Sequence, residues 1–193
     1  MRPPRVLVLY RTNYGQTVKI AFRIANLVEA KGAVVTCLEA RGLSNDTTLD
    51  VYDAVIVGAS VIRGRHQVAV QKFASTHYNM LNRMPSAFFS VSGSAASPDE
   101  RGRADARRCA EDFLRATHWR PALTELVGGA IAYTKYGPLL RWIMKQIAKR
   151  NGGPTDTSRD HELTNWSQVE WFAERFTEML AQTPATTAAL SLR

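Results

Sequence analysis

The chain has 193 residues, 45% of them apolar, enough for one domain with a sizeable core, and it carries a net charge of +8. Its longest uninterrupted apolar run lies between Asp53 and Arg63, far too short for a bilayer, so no membrane-spanning helix is expected. The basic charge, with a pI near 9.9, fits nucleic acid, an anionic membrane face, an acidic small substrate or a plain solvated surface.

The amino terminus, MRPPRVLVLYR, is basic and then briefly apolar, but Arg11 ends the run and no small-residue cleavage site follows, so it reads as a first strand and not a signal peptide. That strand (VLVLY, 6–10) runs into a loop of Thr12, Asn13, Tyr14, Gly15, Gln16 and Thr17, then into an amphipathic helix over 17–31 closed by Gly32. A strand, a hydroxyl- and amide-rich turn and a helix N-terminus form an anion pocket, because the first-turn N–H groups lack intrahelical partners and carry the positive end of the helix dipole. One glycine excludes the GxGxxG dinucleotide fingerprint, and the lack of GKS or GKT excludes a triphosphate P-loop. Two threonine hydroxyls and one tight turn suit a phosphate monoester such as that of FMN; the alternative is a plain turn in which Thr17 caps the helix.

Further along, AVVTCLEA gives a second strand, and Leu49 and Tyr52 lie in an irregular link. AVIVGAS (54–60) gives a third, apolar on both faces, as a buried parallel strand requires. A helix over 67–82, a strand SAFFSVS (86–92), a helix over 103–117, a strand LVGGAIAY (126–133) and a last helix over 167–180 follow. The alternation predicts an α/β, flavodoxin-like, doubly wound five-stranded parallel sheet of order 2-1-3-4-5, with a helical insertion before the last helix. Residues 1–182 form the domain, and the small, polar, repetitive tail 183–193 reads as disordered. Ligands in such sheets bind beyond the carboxyl ends of the strands where strand order reverses, which brings the turns after the first and third strands to one crevice. A phospho-receiver domain is excluded: Arg11, Thr12 and Gly58-Ala59-Ser60 stand where its carboxylates would be. Cys37 and Cys109 read as reduced, packed thiols, and no His or Cys spacing suggests a metal site.

The sequence resembles the flavodoxin-type, quinone-dependent protoporphyrinogen IX dehydrogenases of bacterial haem synthesis. The resemblance runs from Val6 to about Leu180. It rests on the tyrosine-to-GQT loop, on GAS followed by Gly64 and His66, on MPSAFFSVS and on WRP. Above all it rests on YGPLLRWIMKQIAKRNGGPTDT (136–157), an insertion that simple flavodoxins lack. It implies non-covalent FMN, oxidation of protoporphyrinogen IX to protoporphyrin IX, and electrons passed to a membrane quinone by a cytoplasmic enzyme peripherally bound to the inner face of the cell membrane. Carried over, the phosphate site falls on Thr12, Asn13, Tyr14, Gly15, Gln16 and Thr17. The ring system falls between Ala59, Ser60, Val61, Ile62, Arg63 and Gly64 on one side and Ser92, Gly93 and Ser94 on the other. Arg11 replaces the small hydroxyl residue usual in the family, and either contacts the phosphate or points to solvent. The loop after the fourth strand offers no aromatic ring, which leaves Tyr133, His66 or Tyr136 as stacking candidates.

His66 is the first candidate for a catalytic base, as the histidine next to the expected crevice. On a helical wheel of the insertion, Leu139, Leu140, Ile143, Met144, Ile147 and Ala148 share one side. Arg141, Lys145 and Lys149 line up beside it and Trp142 sits at the boundary. That profile suits a helix lying in an anionic membrane interface, an apolar wall with cations for a tetrapyrrole and its propionates, or a surface helix with a basic outer face. The alternatives in function are a flavodoxin-type electron carrier, or a related NAD(P)H-quinone reductase, and a basic interaction domain for nucleic acid. The last is disfavoured because the aromatic residues do not interleave with the cations, so nucleic acid is not an expected partner. Self-association into a homo-oligomer is left open.

Overall fold

The computed structural model describes residues 2–41, 48–150 and 152–182. The expected tail 183–193, and Asn151 within the Asn-Gly-Gly-Pro break, lie outside the described residues.

Five parallel strands form the centre: β1 (Arg5–Arg11), β2 (Val34–Glu39), β3 (Ala54–Ile62), β5 (Ser86–Ser92) and β6 (Leu123–Gly128), in the spatial order β2-β1-β3-β5-β6. Counted along the parallel path this is the expected 2-1-3-4-5 order. Two additions depart from it. A two-residue strand, β4 (Arg65–His66), folds back antiparallel on the end of β3. The expected strand over 126–133 is split: β6 starts earlier, at Leu123, and after Gly128-Gly129 the chain turns into β7 (Ala130–Ile131). β7 pairs with β8 (His161–Glu162) in a separate two-stranded sheet. Crowding fixes the break, since a Cβ on Gly128 would lie 2.3 Å from the Leu163 carbonyl oxygen.

Side-chain alternation along the strands sends apolar groups to both faces. On one face Val8, Ile56 and Phe89 meet Ile20, Ile24 and Val28 of α1 (Gln16–Ala30) and Phe172 and Phe176 of α5 (Trp166–Gln182). On the other, Leu7, Leu9, Val57 and Phe88 meet Val70 and Phe73 of α2 (Val68–Leu81) and Ala110 and Phe113 of α3 (Glu100–Thr117). Gly58 serves the centre of β3: a Cβ there would stand 1.9 Å from Cζ of Phe89, so the ring occupies the space a side chain would need. The WRP motif is structural. Trp119 is fully buried, and its Nε1 donates to Ser86 Oγ at 3.0 Å.

The insertion leaves the sheet after β7 and returns at β8. It contains a 3-10 turn (Tyr133–Lys135) and α4 (Pro138–Arg150) around a small cluster of Ile131, Tyr133, Tyr136 and Ala148, with Leu140 and Met144 against it. Leu140, Met144 and Ala148 face inward, whereas Leu139, Trp142, Ile143 and Ile147 are exposed. The apolar side read from the wheel is therefore split between core and solvent.

Candidate functional site

The carboxyl ends of β1, β3 and β5 open into a cavity of about 330 Å³, within the roughly 300–1,000 Å³ of small-molecule sites. Four segments wall it: Thr12, Tyr14, Gln16 and Thr17 after β1; Ser60 to Arg63 at the end of β3; Val91, Ser92 and Gly93 at the end of β5; and Gly129 to Ile131 with Tyr136, Leu140 and Met144 from the last crossover and insertion. The crevice expected from strand order is thus present, and the insertion closes one side of it.

The loop after β1 is built to leave the start of α1 open. Gly15 is the N-cap residue at φ 99°, a left-handed conformation that glycine adopts without a Cβ penalty, and no side chain caps the helix. Thr17 lies inside the first turn with 1% exposure, so it is not the cap. Thr12 Oγ1 instead accepts the Gly15 N–H at 2.9 Å and tightens the loop. Gln67, which precedes α2, ties this loop to the end of β3: its Nε2 donates to Asn13 Oδ1 at 3.1 Å and to Ser60 Oγ. Gln16 is buried, and its Nε2 donates to Thr164 Oγ1 at 2.8 Å, which in turn donates to the Gly128 carbonyl at 2.7 Å.

Several sequence expectations change here. Arg11 pairs with Glu39 and donates to the Thr12 carbonyl, so it braces the loop from outside the cavity. Ala59 is fully buried in the layer of α2 and α3, and Asn13, Gly15, Gly64 and Ser94 do not line the cavity. His66 does not line it either. It packs against Phe88 and Phe113, with ring centroids 5.4 and 4.9 Å away, and its Nε2 meets Ser90 Oγ at 2.9 Å. Burial lowers its pKa to about 4, and with its ring packed on Phe88 and Phe113, away from the cavity lining, it is not placed to meet a ligand there. Tyr133 is also withdrawn from the cavity: it is fully buried, and its hydroxyl donates to the Pro154 carbonyl at 2.8 Å. Tyr136 does line the cavity, edge-on to Tyr14 at 4.9 Å, and its oxygen accepts the Ala132 N–H at 3.2 Å.

Arg141 is turned inward, which corrects its expected role at a membrane or substrate. Its Nε donates to the Tyr133 carbonyl at 2.9 Å and its Nη2 to the Tyr136 carbonyl at 3.1 Å, clamping the segment before α4. Trp142, Lys145 and Lys149 remain exposed on the outer side of α4. Sequence reasoning missed Val91, Gly129, Ala130 and Ile131 as lining residues. Of the apolar side offered by the insertion's helix as a wall for a tetrapyrrole, Leu140 and Met144 line the cavity. The Gly128-Gly129 pair was the available signal for the first group, since it marks the end of a strand.

Comparison with known proteins agrees with this geometry. The flavodoxin domain family matches residues 7–158. A curated relative from Escherichia coli K12, protoporphyrinogen IX dehydrogenase [quinone], is 33% identical over 175 residues, 91% of this chain and 96% of that protein. A Leishmania major protein of the same name is 31% identical over 181 residues, 94% of this chain and 78% of the other. Among solved structures, flavodoxin 2 of Bacillus cereus superposes with a TM-score of 0.57 at 18% identity, covering 91% of this chain and 99% of that one, which supports the fold alone. By the extent of the domain match and by a third of its residues shared along nearly the whole of an enzyme, the chain belongs to the flavodoxin domain family, within its quinone-linked protoporphyrinogen IX dehydrogenases.

Proposed function

We propose that this chain binds FMN in the cavity and oxidises protoporphyrinogen IX to protoporphyrin IX, passing the electrons to a membrane quinone in haem synthesis. One observation carries the reading: the switch-point cavity is walled on one side by Tyr136, Leu140 and Met144 of the insertion, so the segment that sets the family apart belongs to the site itself.

The residues suit the cofactor. Thr12 and Thr17 supply hydroxyls beside the uncapped start of α1 for the phosphate. Val61, Ile62, Val91 and Ile131 supply apolar walls for a flat ring, with Ser60 and Ser92 at its polar edge. The redox step is the flavin's own chemistry. The chain orients the substrate and excludes water: the Tyr14–Tyr136 pair and Leu140–Met144 offer an apolar rim to the macrocycle, and Arg63 offers a cation for a propionate. Among the described residues lining the cavity there is no histidine or carboxylate to take up substrate protons.

The outer side of α4 docks the enzyme on an anionic membrane surface. Leu139 and Trp142 are 72% and 61% exposed, with Lys145 and Lys149 on the same helix. No helix among the described residues is long and apolar enough to cross a bilayer, so the contact proposed is peripheral. Anaerobic turnover of protoporphyrinogen IX by the flavin-loaded protein tests the reading. Porphyrin formation that needs a quinone is expected. Quinone reduction by NAD(P)H without porphyrin formation would favour the reductase or carrier instead.

A further inference from the structure

Lys135 stands where the insertion touches the loop that opens α1. Its Nζ donates to the Tyr14 carbonyl at 2.7 Å, and it lies 3.5 Å from where a Cβ on Gly15 would be. The turn that carries it is anchored on several sides. Tyr133 is buried with its hydroxyl on Pro154, the N–H and hydroxyl of Thr134 both reach Asp160 Oδ1 at 2.9 and 2.8 Å, and Arg141 holds the Tyr133 carbonyl. These contacts aim the lysine at the loop.

Among the described residues Lys135 makes no close ion pair: its charge is felt by Asp160, but that carboxylate's Oδ1 is taken by the N–H and hydroxyl of Thr134. A lysine ammonium has three donors, and one goes to Tyr14, which leaves two for an anion at the loop. The loop has no cation of its own to offer, because Arg11 is bound to Glu39 and to the Thr12 carbonyl. The first turn of α1 contains no acidic residue to compete.

We infer that Lys135 is the counter-charge for the cofactor's phosphate, so that the preference for FMN over riboflavin is carried by a residue of the insertion and not by the loop alone. The inference rests on the FMN reading of the cavity. It also explains why the insertion and the phosphate loop meet through a lysine on a backbone carbonyl: the same ammonium holds the loop and faces its ligand.

The test is fluorescence titration of the full-length, flavin-free protein with FMN and, separately, with riboflavin, at low and high salt. Wild type, Lys135→Met and Lys135→Arg are compared. Lys135→Met is expected to weaken FMN about tenfold, to leave riboflavin within about twofold, and to flatten the salt dependence of FMN binding. Lys135→Arg should retain the wild-type preference. An unchanged ratio of FMN to riboflavin affinity in Lys135→Met, or an equal loss of both, would overturn the inference while leaving the FMN site in place. Wild-type protein that binds neither flavin would overturn the FMN reading and this inference with it.

Discussion

Every residue of β5 is buried between two helical layers, whereas α4 in the insertion buries Ala148 and leaves much of its apolar outer side in solvent. The sheet is held by apolar burial on both faces and by four parallel ladders. The insertion is held by a small aromatic cluster and by polar contacts: Arg141 to two carbonyls, Thr134 to Asp160, Tyr133 to Pro154 and Lys135 to Tyr14. The difference teaches that the two regions do separate work. The sheet brings loop ends together, and the insertion covers the cavity on one side while presenting a surface outward on the other.

If that contrast is right, the largest stability effects belong to the sheet. Gly58→Ala forces a Cβ into the Phe89 ring and should cost about 3 kcal/mol, read as a lowered urea midpoint. A wild-type midpoint would mean that the two faces of β3 are less tightly packed than described.

Acid should also act through the sheet. Unfolded His66 takes up a proton at its ordinary 6.5, and the buried ring does so only at about 4, so the unfolded state binds more protons between those values. The contribution is complete above about pH 6.5 and is lost as pH falls toward 4, by roughly 3 kcal/mol in all. His66→Gln should remove that part of the acid slope, which unfolding at a series of pH values would show. The pH profile of activity should contain no His66 inflection.

For the insertion, Arg141→Ala should loosen the segment before α4 by about 2 kcal/mol through two lost charge-assisted bonds, with faster amide exchange over α4 and little change in the sheet. Equal loss of protection in both regions would erase the contrast. The smallest effect is on the outer side: Leu139→Ser with Trp142→Ser should lower co-sedimentation with anionic vesicles about tenfold and leave the thermal midpoint unchanged. Unaltered sedimentation would remove the docking surface.

Much of the sheet was legible because periodicity and burial agree there. The strand SAFFSVS matches β5 to the residue, and the parallel order follows from alternating strands and helices. The cavity was legible through the loop after β1, where composition alone marks an open helix start. What escaped was direction. β3 is apolar on both faces, so no alternation separates Ala59, which joins the layer of α2 and α3, from Ser60, which lines the cavity. His66 lies close in sequence to the cavity, but the β3–β4 hairpin turns it under the sheet. The helical wheel gave α4 one apolar side, while the inward stripe is narrower and Arg141 finds carbonyls that no pattern records.

The central claim is that the ends of β1, β3 and β5, closed by the insertion, hold FMN. Calorimetric titration of FMN into the flavin-free full-length protein tests it most directly, alongside Val61→Trp, which fills the cavity from its rim. Saturable one-to-one binding by the wild type and its loss in Val61→Trp are the results expected. Folded wild-type protein that takes up no FMN, or a Val61→Trp variant that binds it as before, would contradict the account.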